Sequence, residues 1–366
     1  MKKSHVILLL IASAICLQST ISKGNSLSTT HTLRDSTSFL GIYPLVFYLP
    51  ETRLGFTLAG IYTFRAEGNT DNKASNLQAG IGYTLNKQIL TYGFFNIWRK
   101  QNSQLIRGEI GYYDYFYPFY GIGPDTDETD VEDYFVRFPR IKANYLVSTN
   151  KIFYAGPAMH LDWYNVYDTE DGGLLQTEDI SGSEGGIVSG LGLAATLDRR
   201  DVQFYPRKGQ FLEASLLFYN SIIGSDYDYP RFSITASQYI PVTQKMVLAL
   251  NYLHEYAGDD APLQELALYG GPKYARGYVI GRYRDHHQAV LQAELRFPIF
   301  WRFKGAAFAS AGNVSDELST ITDDIKINYG LGLRFLLSKD DQLNIRLDYG
   351  VSSEGGNVYL TIGEAF

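Results

Sequence analysis

A basic, glycine-rich tract over residues 268–285 holds the residues best suited to specific chemistry. Arg276, Gly277 and Tyr278 lie near its centre, and Gly270 precedes them. Glycines allow a backbone to fold closely around charged groups, as in loops that bind phosphate. The tract lacks the spacing and the Lys-Ser/Thr ending of a P-loop, so we expect no nucleotide here. An arginine in such a loop needs acidic partners, which other elements must supply.

Other residue types that carry chemistry give weaker signals. Four histidines follow His31 in the sequence: His160, His254, His286 and His287. None of them lies in a recognisable catalytic motif, so we expect no enzyme. The acidic run from Asp125 to Asp133 has carboxylates that suit Ca²⁺ or ions bridging to lipopolysaccharide phosphates, but no calcium-loop pattern. We expect a solvated outer loop there, and neither a metal nor a cofactor.

The amino-terminal residues have the pattern of a secretory signal peptide. Lys2 and Lys3 precede an apolar run, residues 6–17, that is too short to span a bilayer as a helix. We therefore predict a signal peptide over residues 1–22 and a short periplasmic segment over residues 23–40.

The composition limits the class of protein further. Cys16 is the only cysteine and lies in the predicted signal peptide, behind Ile15 where a lipoprotein signal needs a small residue. The mature chain should therefore have no disulfide or cysteine metal site. With 29 Tyr and 21 Phe the chain is rich in rings that suit a membrane interface, and its net charge of −7 argues against nucleic acid as a partner.

Hydrophobic periodicity predicts an all-β protein from residue 41 to residue 366. Segments of roughly 9–14 residues alternate with period two and are separated by Gly, Asn, Asp and Pro turns. In residues 289–299, Gln292, Glu294 and Arg296 share one face and apolar residues the other; Asn344, Arg346 and Asp348 repeat the pattern. A soluble sandwich and a membrane barrel share this alternation. The signal peptide, the strand length and the aromatic content favour the barrel.

The segments give a transmembrane antiparallel barrel of about sixteen strands. They lie near 41–49, 54–65, 75–86, 88–99, 104–115, 133–147, 152–166, 185–197, 209–220, 229–240, 245–257, 288–299, 302–312, 326–338, 342–352 and 357–366. If the amino terminus lies in the periplasm, the long connections between strands lie on the extracellular side, and most of the periplasmic turns are tight. The long connections are 116–132, 167–184, 258–287 and 313–325. Residues 66–74 are the exception.

The last predicted strand ends on an aromatic residue, Phe366. Val358, Leu360, Ile362 and Phe366 are expected to project to one side. Bacterial outer-membrane barrels commonly end in this way, because the assembly machinery reads the last strand and its terminal aromatic. We therefore interpret Phe366 as an assembly signal and expect the protein in the bacterial outer membrane, in contact with its lipids and lipopolysaccharide.

These residues resemble the barrel of the BamA/TamA-type superfamily of outer-membrane assembly and translocation proteins, the bacterial surface antigen family. Arg276-Gly277-Tyr278 is similar to that family's Arg-Gly-aromatic signature in the sixth extracellular loop. Further similarities lie in residues 197–209, 121–123, 50–52 and 363–366. The resemblance implies a sixteen-stranded barrel whose long sixth loop folds into the lumen, with its arginine bonded to acidic residues of the inner wall.

The chain departs from the family pattern at Ser310, where relatives usually carry an aspartate that binds the loop arginine. We therefore expect Arg276 to pair with Glu294 or Asp348 on the predicted lumen face, beside Arg296. The alternative is an Arg276 that is exposed at the outer surface.

Residues 23–40 are too few for a POTRA module, which needs on the order of 50 residues. The sequence therefore predicts a family member without POTRA domains. The expected role is outer-membrane protein insertion, biogenesis or translocation, on client outer-membrane proteins and with separate periplasmic partners. The alternative is a passive channel or structural barrel without insertase activity.

Overall fold

The chain folds into a closed antiparallel β-barrel. The computed structural model describes residues 38–68, 72–338 and 342–366. Within these ranges sixteen strands form one closed sheet. They are β1 (Phe39–Leu49), β2 (Arg53–Phe64), β3 (Ser75–Thr84), β4 (Ile89–Arg99), β5 (Gln104–Phe119), β6 (Glu132–Val147), β7 (Phe153–Asp168), β8 (Gly185–Asp198), β9 (Gly209–Tyr219), β10 (Tyr229–Pro241), β11 (Val247–Ala257), β14 (His287–Phe300), β15 (Phe303–Ser315), β16 (Lys326–Ser338), β17 (Leu343–Ser352) and β18 (Gly355–Ile362).

The remaining elements are short and lie in the connections. β12 (Ala267–Tyr269) and β13 (Tyr283–Asp285) pair with each other between β11 and β14. Helical turns lie at Ala66–Gly68, Leu174–Thr177, Ser221–Ile223 and Leu318–Thr320. No helix among the described residues is long and apolar enough to cross a bilayer.

The predicted number and order of strands are confirmed, and most boundaries agree within a few residues. β5, β6 and β7 form the tallest part of the wall, because β5 and β6 stay in register from Gln104↔Val147 to Phe119↔Glu132. Stacked aromatic rings such as Tyr117 and Tyr134 extend these strands beyond the predicted ends. The predicted signal peptide and residues 23–37 lie outside the described residues, whereas residues 39 and 40, predicted to be periplasmic, belong to β1.

Side chains alternate between the two faces of the wall as predicted. On β14, Leu291 is 59% exposed on the outer face, whereas Gln292, Glu294 and Arg296 are buried on the inner one. On β17, Tyr349 is exposed and Asp348 is buried. The apolar outer face suits lipid, and the charged inner face makes polar contacts within the lumen.

The closing strand ends earlier than predicted. β18 stops at Ile362, and Gly363 adopts a φ of +85° that turns the chain away from the ladder. Val358 and Ile362 face outwards as expected, but Phe366 packs inside against the cluster of Tyr239, Val247 and Ala249. The expectation that Phe366 shares the outer face with them was therefore wrong. A hydrogen bond of 2.9 Å from Arg334 Nε to Glu364 Oε2 holds this tail inside.

The junction between β1 and β18 is the shortest in the barrel. Among the described residues, the two strands share one register pair, Tyr48↔Leu360. Tyr48 is next to the last residue of β1, and Leu360 lies near the end of β18. Most of each strand therefore has no ladder partner across this seam, whereas β1 pairs with β2 along its whole length, from Phe39↔Thr63 to Leu49↔Arg53.

Candidate functional site

The connection between β11 and β14, residues 258–286, is called loop 6 here. Its β12–β13 hairpin carries a tip, residues 270–282, that reaches the inner wall. Arg276 and Tyr278 at this tip are each 1% exposed, so the motif lies in the interior and not at the outer surface.

Arg276 is held by the two acids that the sequence analysis selected. Its Nη1 lies 2.7 Å from Glu294 Oε2 on β14 and 2.7 Å from Asp348 Oδ2 on β17. Its guanidinium lies over the ring of Phe308, 3.5 Å from the ring centre. Charge-assisted bonds of this kind gain strength when water is excluded, and all of these side chains are buried.

The acids are shared with arginines of the wall, and we call the whole set the arginine cluster. Arg296 Nε donates to Glu294 Oε1 at 2.8 Å, so Arg296 supports the loop's partner and reaches loop 6 only through it. Arg334 bonds to Glu294, Asp348 and Glu364. The members are Arg276, Arg296, Arg334, Arg346, Glu294, Asp348 and Glu364. Four arginines share three side-chain carboxylates, and Arg296 Nη2 also donates to Phe366 O at 2.8 Å. Loss of a carboxylate would therefore leave buried guanidinium groups with fewer partners.

The backbone of the motif is tied to the end of the barrel. The Gly277 N–H donates to Tyr359 Oη at 3.0 Å, and that hydroxyl donates to the Tyr278 carbonyl at 2.7 Å. Gly277 has a φ of +129°, and a Cβ there would lie 3.0 Å from the backbone of Val351. Only glycine fits this close approach to β17. Loop 6 is thereby joined to β18, one of the two seam strands.

Ser310 contacts the loop indirectly. Its hydroxyl donates to Asn328 Oδ1 at 2.6 Å, and Asn328 Nδ2 donates to the Arg276 carbonyl at 2.7 Å. A short polar chain thus stands where the family resemblance led us to expect an acid, and the charge partners of Arg276 come from β14 and β17.

A second anchor of loop 6 was missed by the sequence analysis. Glu265 forms an ion pair with Arg231 on β10, and its Oε1 accepts a hydrogen bond of 2.7 Å from Tyr164 Oη. Although burial raises the pKa of Glu265, Arg231 and neighbouring cations bring it down to about 2. The carboxylate is therefore charged, and it fixes the first half of the loop to β10 and β7.

The surroundings of Glu265 explain how this anchor is built. Arg140 pairs with Asp162 at 2.5 Å, and His160 Nε2 lies 3.1 Å from the same carboxylate. His160, Asp162 and Glu265 are close enough to share a metal ion, but Arg140 and Arg231 already neutralise the two acids. Arg140 and Asp162 are register partners on β6 and β7. The alternation of side chains along these strands could therefore have indicated this ion pair from the sequence. No sequence pattern indicated a role for Glu265.

The comparisons with known proteins fit this geometry. The Omp85 superfamily domain matches residues 50–366. Among solved structures, BamA from Haemophilus ducreyi lacking POTRA domains 1–3 is 12% identical with a TM-score of 0.62, covering 89% of this chain and 70% of that one. CdiB from Escherichia coli is 13% identical with a TM-score of 0.57, covering 89% of this chain and 67% of that one. CdiB from Acinetobacter baumannii is 10% identical with a TM-score of 0.56, covering 90% and 66%.

No curated protein sequence matches this chain. The closed sheet of sixteen antiparallel strands with a long, inward-folded loop has the same fold as these solved outer-membrane-type barrels. The chain belongs to the Omp85 superfamily. The predicted BamA/TamA-type family is confirmed.

Proposed function

We propose that this barrel promotes insertion or translocation of client polypeptides at the outer membrane, and that the β1–β18 seam is where the client strand pairs. The observation that carries the proposal is that one register pair, Tyr48↔Leu360, joins the two seam strands within the part of the chain that the structure describes. Backbone N–H and C=O groups without ladder partners are templates for an incoming strand. The clients are outer-membrane polypeptides with amphipathic strands, and separate periplasmic proteins deliver them.

Loop 6 supports this function by bracing one side of the seam. Gly277 and Tyr278 bond to Tyr359 on β18, while Arg276 bonds to β14 and β17. Loop 6 thus connects β18 to β14 and β17. β1 is held at the seam by one pair, so we expect β1 and its partner β2 to move when a client enters.

The alternative function, a passive channel, predicts a steady open pore. Loop 6 and the wall fill part of the lumen with buried side chains, including the cluster of Tyr134, Phe138, Tyr164 and Leu263. This packing favours the assembly role over free conduction. A structural barrel without insertase activity is separated from the assembly role by a functional assay.

The test is folding of a small, urea-denatured outer-membrane barrel into liposomes that contain the purified protein. We expect folding, read as the shift of the client on unboiled gels, to be faster than into liposomes without protein or with an unrelated barrel of similar size. Equal rates in all three preparations would refute the insertion role. Translocation is tested separately, by protection of an unfolded client from external protease.

A further inference from the structure

A cavity at the long-loop end of the barrel is distinct from the arginine cluster and from the seam. It has a volume of about 530 Å³ and lies between the β5–β6 connection, the end of loop 6 and the β15–β16 connection. Each of these three segments contributes acidic residues to the lining of the cavity, which are Asp125, Asp285, Asp316, Asp323 and Asp324.

Donor atoms converge at one point of this cavity. One ligand atom from each of Asp285, His286 and Asp316 lies within 4.8 Å of the others. Ligands of an ion at about 2.0–2.4 Å are separated by up to about 4.8 Å, so one cation can bridge these donors with small side-chain movements. Asp285 is only 3% exposed, and no ion pair among the described residues includes Asp285 or Asp316.

A backbone hydrogen bond fixes the tautomer of the His286 imidazole. Its Nδ1 lies 2.9 Å from the Ala257 carbonyl, which can only accept, so Nδ1 carries the proton. The neutral ring then has its lone pair on Nε2. Metal-binding histidines are commonly fixed by such a bond from the other ring nitrogen to a backbone carbonyl.

An independent observation also points to a ligand. Asn313, which lines the same cavity, is 1% exposed, and its Oδ1 has no hydrogen-bond partner. Its Nδ2 is engaged with the Asp323 carbonyl, which fixes the amide. A buried amide oxygen without a partner costs free energy, and a cation in the cavity would satisfy it.

We propose that Asp285, His286 and Asp316 form a site for a divalent first-row transition ion of the Zn²⁺ type, with Asn313 Oδ1 as a further oxygen donor. The mixed nitrogen and carboxylate donors favour such an ion over Ca²⁺ or Mg²⁺, which prefer oxygen ligands alone. The ion joins the end of loop 6 to β15 and the following connection. It therefore fastens the outer end of the loop, away from Arg276 and Glu265.

The test uses the full barrel, refolded in detergent after removal of metals with EDTA and without an affinity tag. Calorimetric titration with ZnCl₂ should show one site per chain. His286→Gln and Asp316→Asn each remove a direct ligand and should each weaken Zn²⁺ binding by at least about 10-fold, the lower end of the loss seen when a group that supports a ligand is removed. Asp130→Asn, which changes an exposed acid of the β5–β6 connection outside the cavity, should leave the affinity unchanged.

Two further measurements distinguish a loss of metal binding from poor folding of a variant. Each variant is first checked for the heat-modifiable gel shift, and Co²⁺ is used as a spectroscopic probe whose visible absorption should change in His286→Gln. Equal Zn²⁺ affinity in all variants, or tighter binding of Ca²⁺ than of Zn²⁺, would overturn the assignment. An inactive barrel that still binds Zn²⁺ would refute the proposed function and leave this site standing.

Discussion

At the scale of single residues, the arginine cluster is governed by charge balance. Arg276 binds Glu294 and Asp348, but Arg334 binds the same two acids and Arg296 also binds Glu294. Removing Arg276 therefore leaves both carboxylates paired. Removing Glu294 leaves buried guanidinium groups with one acid fewer, which is the more costly change.

We expect Glu294→Gln to lower the free energy of unfolding by about 3–5 kcal/mol and Arg276→Ala by about 1–3 kcal/mol. The double variant should lose less than the sum of the two single variants, because the second change removes a bond already broken. Urea-dependent loss of the folded gel band measures these values. Arg199→Ala, an exposed arginine between β8 and β9, is the control. Strict additivity, or a larger effect of Arg276→Ala, would contradict the charge-balance account.

A buried carboxyl group beside the seam predicts a pH effect. Burial raises the pKa of Glu51, in the turn between β1 and β2, from 4.5 to about 7. Because the folded-state pKa is raised, the contribution of Glu51 to the free energy of unfolding is fully present below its unfolded-state pKa of 4.5. This contribution is lost as pH rises through about 7. Between pH 4.5 and about 7, the free energy of unfolding of the wild type should fall by up to about 3 kcal/mol relative to that of Glu51→Gln.

The measurement is the unfolding free energy of both proteins across this pH range. Glu128→Gln, at an exposed position of an outer connection, controls for a general charge effect. Parallel pH profiles for the wild type and Glu51→Gln would show that Glu51 is not the titrating group.

At the scale of elements, loop 6 acts as an internal brace with separated attachments. Glu265 fixes it to β10 and β7, and Arg276 fixes it to β14 and β17. Attachments on different parts of the wall resist both withdrawal of the loop and deformation of the barrel.

Deleting residues 266–284 should convert a silent barrel into a conducting one, because the deletion removes Arg276 and the hairpin from the lumen. Single-channel recording in a planar bilayer measures this. Deletion of the exposed residues 127–130 is the control and should leave the barrel silent. Large steady pores in the wild type would instead favour the passive channel.

The sequence predicted the elements better than their attachments. Alternation located the strands and put Glu294 and Asp348 on the inner face, because a period of two assigns every second side chain to the lumen. It could not place Glu265 or the inward turn of Phe366. Those positions depend on how a loop and a tail fold inside a wide barrel, where partners are distant in sequence and no periodicity applies.

At the scale of the whole molecule, the β1–β18 seam is the junction with the fewest register pairs among the described residues of the barrel. The pair Tyr48↔Leu360 closes the β1–β18 seam, while loop 6 and the pairing of Glu364 with Arg334 hold β18 and the following tail on one side. We propose that this seam must open for the barrel to act on a client.

The most direct test locks the seam with a disulfide between Tyr48→Cys and Leu360→Cys, in a protein that also carries Cys16→Ser. Register partners in an antiparallel sheet have Cα atoms about 4.5–5.5 Å apart, within the range that a disulfide bridges. A control disulfide between Val46→Cys and Phe56→Cys joins β1 to β2. In the liposome folding assay, the oxidised seam-locked protein should lose client acceleration and regain it on reduction, while the oxidised control stays active. Full acceleration by the oxidised seam-locked barrel would contradict the account.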